Sequence, residues 1–372
     1  MQPIDLYKHR CVVPDLPHPD DYVWRLREMH ERQWYSNFGP LVQALEQRLL
    51  EIFGGAGETC VTACNATAGL SAALIAAGRH GPVLIPAFTF PATLGAVHAA
   101  GMTPIVMDVR PDDWLIDPEV LDRALAETGA TIVMPVAPFG LRCDFTAVTE
   151  VCRRRGVAVV FDNAAGLGAP RSAVARSEDV FEVFSMHATK PFGVGEGGVV
   201  FAHQKHEAAL RSAISFALTS SGQSGGPRWG FNGKMSELHA AIGLAQTERY
   251  TGFVRERQRF VARYIERLRE MDRLVFPNAA EAAPWQFFPV LLPSTQAADQ
   301  FVAHAASVGV EIRRYYRPSL SRWPEVEVWG RCDTAEDLAE RMCVLPVRSL
   351  ADSLEAGALQ HLVVDALQKT LS

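Results

Sequence analysis

Residues 145–162 read FTAVTEVCRRRGVAVVFD: a helical pattern over Phe145–Arg155 runs into a short apolar strand, Ala158–Asp162, that stops on a carboxylate. A strand with continuous apolar character suits a sheet that is covered by helices on both faces. The same alternation extends in both directions. It predicts strands at Thr59–Ala63, Val83–Pro86, Pro104–Asp108 and Ile132–Val136 upstream, and at Val180–Ser185 and Val199–Ala202 downstream. Thr67–Ala77 and Pro118–Glu127 read as further helices. The expected fold class is therefore α/β with a mostly parallel central sheet. Such sheets bind ligands outside the carboxyl ends of their strands, so the residues just after each strand are the first places to look for chemistry.

Before this alternation lie a polar, aromatic-rich lead-in, a Gly/Pro break at Ser36-Asn37-Phe38-Gly39-Pro40 and an amphipathic helix from Leu41 to Phe53. After it, a helix from Ser236 to Thr247 and a charged helical stretch, Gly252–Met271, lead into an α+β tail. That tail holds a strand at Trp285–Leu292, a helix at Ala297–Ser307, a short strand at Gly309–Arg313, and the segments Thr334–Cys343 and Ser353–Leu371. The expected division is residues 1–250, an N-terminal segment with a large cofactor-binding domain, and residues 251–372, a small C-terminal domain.

With 372 residues, 48% hydrophobic and 21% charged, the chain can bury a large core, which argues against disorder. A net charge of -6 and a pI near 6.0 give no general attraction to nucleic acid. The first 25 positions carry acidic and aromatic residues rather than a basic start and an apolar run, so no secretory signal is expected. The apolar stretches are short and broken, so no membrane span is expected either. Seven scattered cysteines read as free thiols of a reducing compartment, and the expected location is cytoplasmic. Cys60 and Cys64 lack a second close pair or a nearby histidine, so no metal site is expected.

Asp162 ends one predicted strand, and Lys190 follows 28 residues later in the loop Ser185-Met186-His187-Ala188-Thr189-Lys190. A pyridine-aldehyde cofactor needs this pair. The lysine amine condenses with the aldehyde, while the carboxylate keeps the ring nitrogen protonated so that the ring can absorb electrons from the substrate carbon. In isolation, the favoured reading is that Asp162 caps a turn and Lys190 is a solvated loop lysine. The surrounding motifs reverse that weighting. Lys190 opens Lys190-Pro191-Phe192-Gly193-Val194-Gly195-Glu196-Gly197-Gly198. Asn65-Ala66-Thr67-Ala68-Gly69-Leu70, Pro86-Ala87-Phe88-Thr89-Phe90, Asp108-Val109 and Gly230-Phe231-Asn232-Gly233-Lys234-Met235-Ser236-Glu237-Leu238 accompany it. In type and order these motifs resemble the DegT/DnrJ/EryC1/StrS family of sugar aminotransferases, over nearly the whole chain.

The resemblance implies a fold-type I, pyridoxal 5'-phosphate (PLP)-dependent transferase working as a homodimer with shared active sites. Lys190 would anchor the cofactor and move the proton, and Asp162 would face the ring nitrogen. Ser185, Thr67 and the backbone at Ala66 would meet the phosphate. Independently, Asn65–Thr67 lies between a strand and a helix, where backbone N–H groups suit an anion. Phe88 matches the aromatic residue that covers the ring, and Asn232 matches an asparagine that reaches the phosphate of the neighbouring subunit. Two departures stand out. The family's Asp-Ala-Ala-Gln or Asp-Ala-Ala-His segment is Asp162-Asn163-Ala164-Ala165, so Ala165 offers no side-chain donor to the cofactor's phenolic oxygen, and Ala66 stands where glycine is frequent.

Trp34-Tyr35-Ser36-Asn37-Phe38-Gly39-Pro40 and His187-Ala188-Thr189-Lys190 resemble loops of sugar 4-aminotransferases. The expected reaction moves an amino group from an amino acid, glutamate by expectation, to a nucleotide-linked keto-deoxysugar at C4. Alternatives are another PLP-dependent reaction on a sugar or cyclitol, such as cyclic ketone amination or dehydration, and a cofactor-binding regulator without turnover. The retained Lys190 argues against dehydratases that carry histidine at that place.

Overall fold

The computed structural model describes residues 7–219 and 229–372. The chain begins with helices α1 (Val23–Arg32) and α2 (Pro40–Phe53), then enters the alternation: β1 (Glu58–Ala63), α3 (Ala66–Ala76), β2 (Pro82–Pro86), α4 (Pro91–Ala99), β3 (Thr103–Met107), α5 (Pro118–Thr128), β4 (Ile132–Val133), α6 (Thr146–Arg155), β5 (Ala158–Asp162), β6 (Val180–Ser185), β7 (Gly198–His203) and α7 (Glu207–Ala213). It continues through α8 (Glu237–Leu268), β8 (Phe287–Leu291), α9 (Thr295–Ser307), β9 (Arg313–Arg314), β10 (Glu327–Val328), α10 (Asp333–Arg341), β11 (Met342–Pro346) and α11 (Leu354–Leu371). The large sheet has the order β1-β7-β6-β5-β4-β2-β3-β10. Only β7 runs against its neighbours; the other pairings are parallel. A second sheet, β8-β11-β9, is antiparallel.

The uniformly apolar strands are explained by cores on both faces. Val83, Ile85 and Val160 point into one apolar cluster, while Leu84, Val159 and Phe161 point into another, and none is more than 2% exposed. Period-two alternation is therefore present in direction but invisible in polarity. Local signals start the helices: Asn65 accepts from the Ala68 N–H at α3, and Asp117 caps α5 ahead of Pro118. Helix α2 begins differently. Gly39 has no capping side chain, and the buried carboxylate of Glu237 accepts instead from the N–H groups of Leu41 and Val42 at 2.7 and 2.9 Å.

Two expectations about elements are corrected. The helices expected on either side of residues 248–251 are one helix, α8, whose buried stripe of Tyr250, Phe253, Val254, Arg257, Phe260, Val261 and Tyr264 is continuous. Gly252 faces open space within it, and one helical glycine costs only about 1 kcal/mol. The segment Thr334–Cys343, expected without an element type, is nearly the whole of α10 and the first two residues of the fully buried β11. The strand expected over Gly309–Arg313 is reduced to β9 and a bridge between Val310 and His9, so the lead-in docks on the small sheet's side of the molecule. Conversely, β10 adds to the large sheet from the C-terminal part of the chain.

Candidate active site

The carboxyl ends of β2, β4, β5 and β6, together with the start of α3, converge on one cavity of about 380 Å³. Ala66, Thr67, Asp162, Ser185 and Lys190 all line it. At its α3 end, the N–H groups of Ala66 and Thr67 have no acceptor among the described residues, the capping side chain of Asn65 accepting from the Ala68 N–H instead. This cup owes its shape to Gly198 at the start of β7: a Cβ there would lie 2.5 Å from the Asn65 backbone. Gly195, with φ +101, makes the turn that returns the lysine loop to β7.

Asp162 is buried. Its Oδ2 accepts from the Thr93 hydroxyl at 2.7 Å, and Thr93 in turn shares a 2.8 Å hydrogen bond with Thr89. Oδ1 accepts from the Ala164 N–H at 3.2 Å. Burial pushes the Asp162 carboxyl above its ordinary range, while Thr93, Ala164 and the charge of Lys190 pull it back. Burial also lowers the Lys190 ammonium to about 8, with Asp162 opposing the shift. Lys190 Nζ donates to Gln286 Oε1 at 3.0 Å. The neighbouring departure from the family pattern, Asn163, points away into the sheet: its Nδ2 donates to Glu182 Oε1 at 2.9 Å, and Glu182 is ion-paired with the buried Arg171.

Two expected residues lie outside this cavity. Phe88 does not cover it, which corrects the aromatic assignment. The turn after β2 drives Phe88 into the core, edge-on to Phe139 at 6.2 Å and Tyr316 at 5.1 Å, with 1% of its surface exposed. Phe90, two residues on, lines the cavity and is 54% exposed. Asn232 is exposed and does not line its own chain's cavity; its Oδ1 accepts from Lys234 Nζ at 2.6 Å. Ala165 lines the cavity without a polar side chain. Gln286, Phe287, Tyr315 and Tyr316 form the opposite wall, and sequence reasoning passed over all four. Only Trp285–Leu292 was visible, as a strand without a function.

The donor set fits PLP: a carboxylate for a ring nitrogen, an amine for an aldehyde, a hydroxyl and a helix N-terminus for a phosphate, and apolar walls for the ring. The aminotransferase family model DegT/DnrJ/EryC1/StrS matches residues 20–367. The chain belongs to the DegT/DnrJ/EryC1/StrS aminotransferase family. Use of PLP follows from that membership. Among curated relatives of this family member, a dTDP-4-amino-4,6-dideoxy-D-glucose transaminase of Shigella dysenteriae is 28% identical over 361 residues, covering 94% of this chain and 96% of the relative. A GDP-perosamine synthase of Caulobacter vibrioides is 29% identical over 310 residues, covering 80% and 81%. The crystal structure of DesI in the presence of its TDP-sugar product superposes with a TM-score of 0.86 at 28% identity, covering 96% of this chain and 93% of that one. The fold is that of fold-type I PLP aminotransferases, with the large mixed sheet and smaller C-terminal α+β unit described above. Among the described residues no helix is long and apolar enough to cross a membrane.

Proposed function

We propose that this aminotransferase moves an amino group from an amino acid, glutamate in our reading, to C4 of a nucleotide-linked keto-deoxysugar. The observation that carries the proposal is the shared cavity of Asp162 and Lys190 beside the open N-terminus of α3. PLP, when bound, supplies the aldehyde and the electron sink. The chain's own residues do the rest. The first turn of α3 and Ser185 hold the phosphate end. Asp162, made costly as an anion by burial, is relieved by a cationic ring nitrogen and keeps that proton in place. Thr93 and the Ala164 N–H fix the carboxylate's direction. Lys190 would anchor the cofactor and, once free, would serve as the proton carrier; an amine lowered to about 8 holds an appreciable neutral fraction near neutrality, as a general base requires.

The sugar reading draws on the relatives, whose names place them on dTDP-4-amino-4,6-dideoxy-D-glucose and on GDP-perosamine, and on the loops Trp34–Pro40 and His187–Lys190. We further propose a homodimer in which Asn232 reaches the partner's phosphate, in keeping with its exposure and its absence from the lining of its own chain's cavity. All seven cysteines are free, which favours work in the cytoplasm. The deciding experiment is a screen of amino donors against nucleotide ketosugars with mass detection of the product. Gain of an amino group at C4 from glutamate is the expected result. A dehydrated product, or bound cofactor with no exchange from any donor, would replace the proposal with a dehydratase or a non-catalytic regulator.

A further inference from the structure

The Lys190 amine has a fixed resting place, and the small domain provides it. Gln286 lies just ahead of β8 and is 5% exposed. Its Oε1 accepts from Lys190 Nζ at 3.0 Å, and its Nε2 donates to Thr189 Oγ1 at 3.2 Å. The orientation of the amide follows from its neighbours, since a flipped side chain would set two donors against each other at the ammonium. With Thr189 Oγ1 accepting from Gln286, its hydroxyl proton is free to donate to His187 Nδ1, 2.8 Å away, and the Thr189 N–H donates to the same nitrogen at 3.2 Å. The proton of a neutral His187 then sits on Nε2, which faces Glu196 Oε1 at 3.6 Å. Donors and acceptors agree along the whole row.

The mount of Gln286 is equally determined. Arg257 is 5% exposed and donates to the carbonyl oxygens of Trp285 at 2.6 Å and Gln286 at 2.8 Å, and to Ser349 Oγ at 3.2 Å. Trp285 beside it is fully buried. An amine that alternates between a covalent link and free acid–base work needs a defined position in the free state, because proton transfer depends on sub-ångström placement.

We propose that Gln286 is a positioning residue for Lys190: its side-chain carbonyl receives the amine whenever the amine is free, and so makes proton transfer depend on the seating of the small domain. The inference rests on the reading of Lys190 as cofactor anchor and proton carrier. Other titratable groups lining the cavity are Asp162, His187, Glu196, Tyr315 and Tyr316, so the test changes Gln286 alone.

The test uses the full chain without cofactor. Brief acetic-anhydride labelling across a pH series, read on the Lys190 peptide by mass analysis, gives the midpoint at which the amine becomes reactive. Gln286→Leu removes an acceptor from the ammonium and is expected to lower that midpoint by roughly one pH unit. Gln286→Glu, nearly isosteric, places a carboxylate at hydrogen-bond distance and should raise it by at least as much. Gln286→Asn is too short to reach and should behave as the leucine variant. An unchanged midpoint in Gln286→Leu overturns the proposal, because a residue that merely packs would give that result. Should Gln286→Leu fail to fold, Gln286→Glu decides alone, and an unmoved midpoint there overturns it. Borohydride fixation of PLP on the wild-type chain is the separate control: fixation on a lysine other than Lys190 rejects the functional reading, whatever the labelling midpoints show.

Discussion

On the large-domain wall of the cavity each chemical group sits within a few residues of a strand's carboxyl end: Thr67 after β1, Phe90 after β2, Asp162 at the end of β5, Ser185 and Lys190 at and after β6. The opposite wall follows no such rule. Gln286 just precedes β8 and Phe287 opens it, whereas Tyr315 and Tyr316 follow β9, and Gln286 meets Lys190 across 96 residues of chain. The large-domain wall carries the groups proposed to meet the cofactor, each tied to a strand end, so its chemistry is concentrated in short motifs. The small-domain wall faces the amine through Gln286, and it depends on how one unit sits on the other.

If that division is right, changes to the two walls should fail in different ways. The largest effect is expected from Lys190→Ala, which removes the covalent link and lowers turnover by at least about 10³-fold, while noncovalent phosphate binding survives. Turnover and absorption spectra measured on one preparation check both halves. The same lysine predicts a pH effect. Burial lowers its pKa from 10.5 to about 8 in the cofactor-free protein. Between those values the unfolded chain binds more protons than the folded one, so stability should rise with pH across the window. Lys190→Met should flatten that rise in denaturation curves taken from pH 8 to 10.5.

Asp162→Asn should cost about 10²-fold in the proton-transfer step, the usual scale for one lost electrostatic partner, and much less in cofactor affinity. Deuterium at the donor's α-carbon would then slow the variant more than the wild type. Near-normal turnover at saturating cofactor would break the assignment of Asp162 to the ring.

Asn232→Ala should weaken cofactor binding by roughly tenfold, the loss of one phosphate hydrogen bond. The sharper measurement mixes it with Lys190→Ala subunits. If Asn232 serves the neighbouring site, one site of a mixed dimer carries both lesions and the other carries neither. Activity should rise above the sum of the separate mutants once size measurement confirms exchange. No rise in confirmed mixed dimers would assign Asn232 to its own chain.

The smallest effect on chemistry should come from the paired phenylalanines. Phe90→Ala should loosen the cofactor only several-fold, as expected for one aromatic contact. Phe88→Ala should instead cost about 3–5 kcal/mol of stability. Equilibrium unfolding and cofactor titration of both variants separate the two, and the reverse pattern would restore Phe88 as the ring's cover.

The sequence by itself determined the α/β class, the strands that end on Asp162 and Ser185, and the motif order that places Lys190 after them, because strands buried on both faces are continuously apolar and their ligand groups follow at fixed local offsets. It also determined the departure at Ala165, since a missing side chain is visible without coordinates. Only the tertiary structure decided that Phe90 rather than Phe88 faces the cavity, since a two-residue shift around one turn reverses direction without changing residue type. The unbroken α8 likewise needed the packed stripe that outweighs Gly252. The Gln286 contact was beyond the sequence altogether: its amide is set against Lys190 by Arg257 gripping the backbone from α8, and neither spacing nor periodicity encodes a meeting of three elements so far apart in the chain.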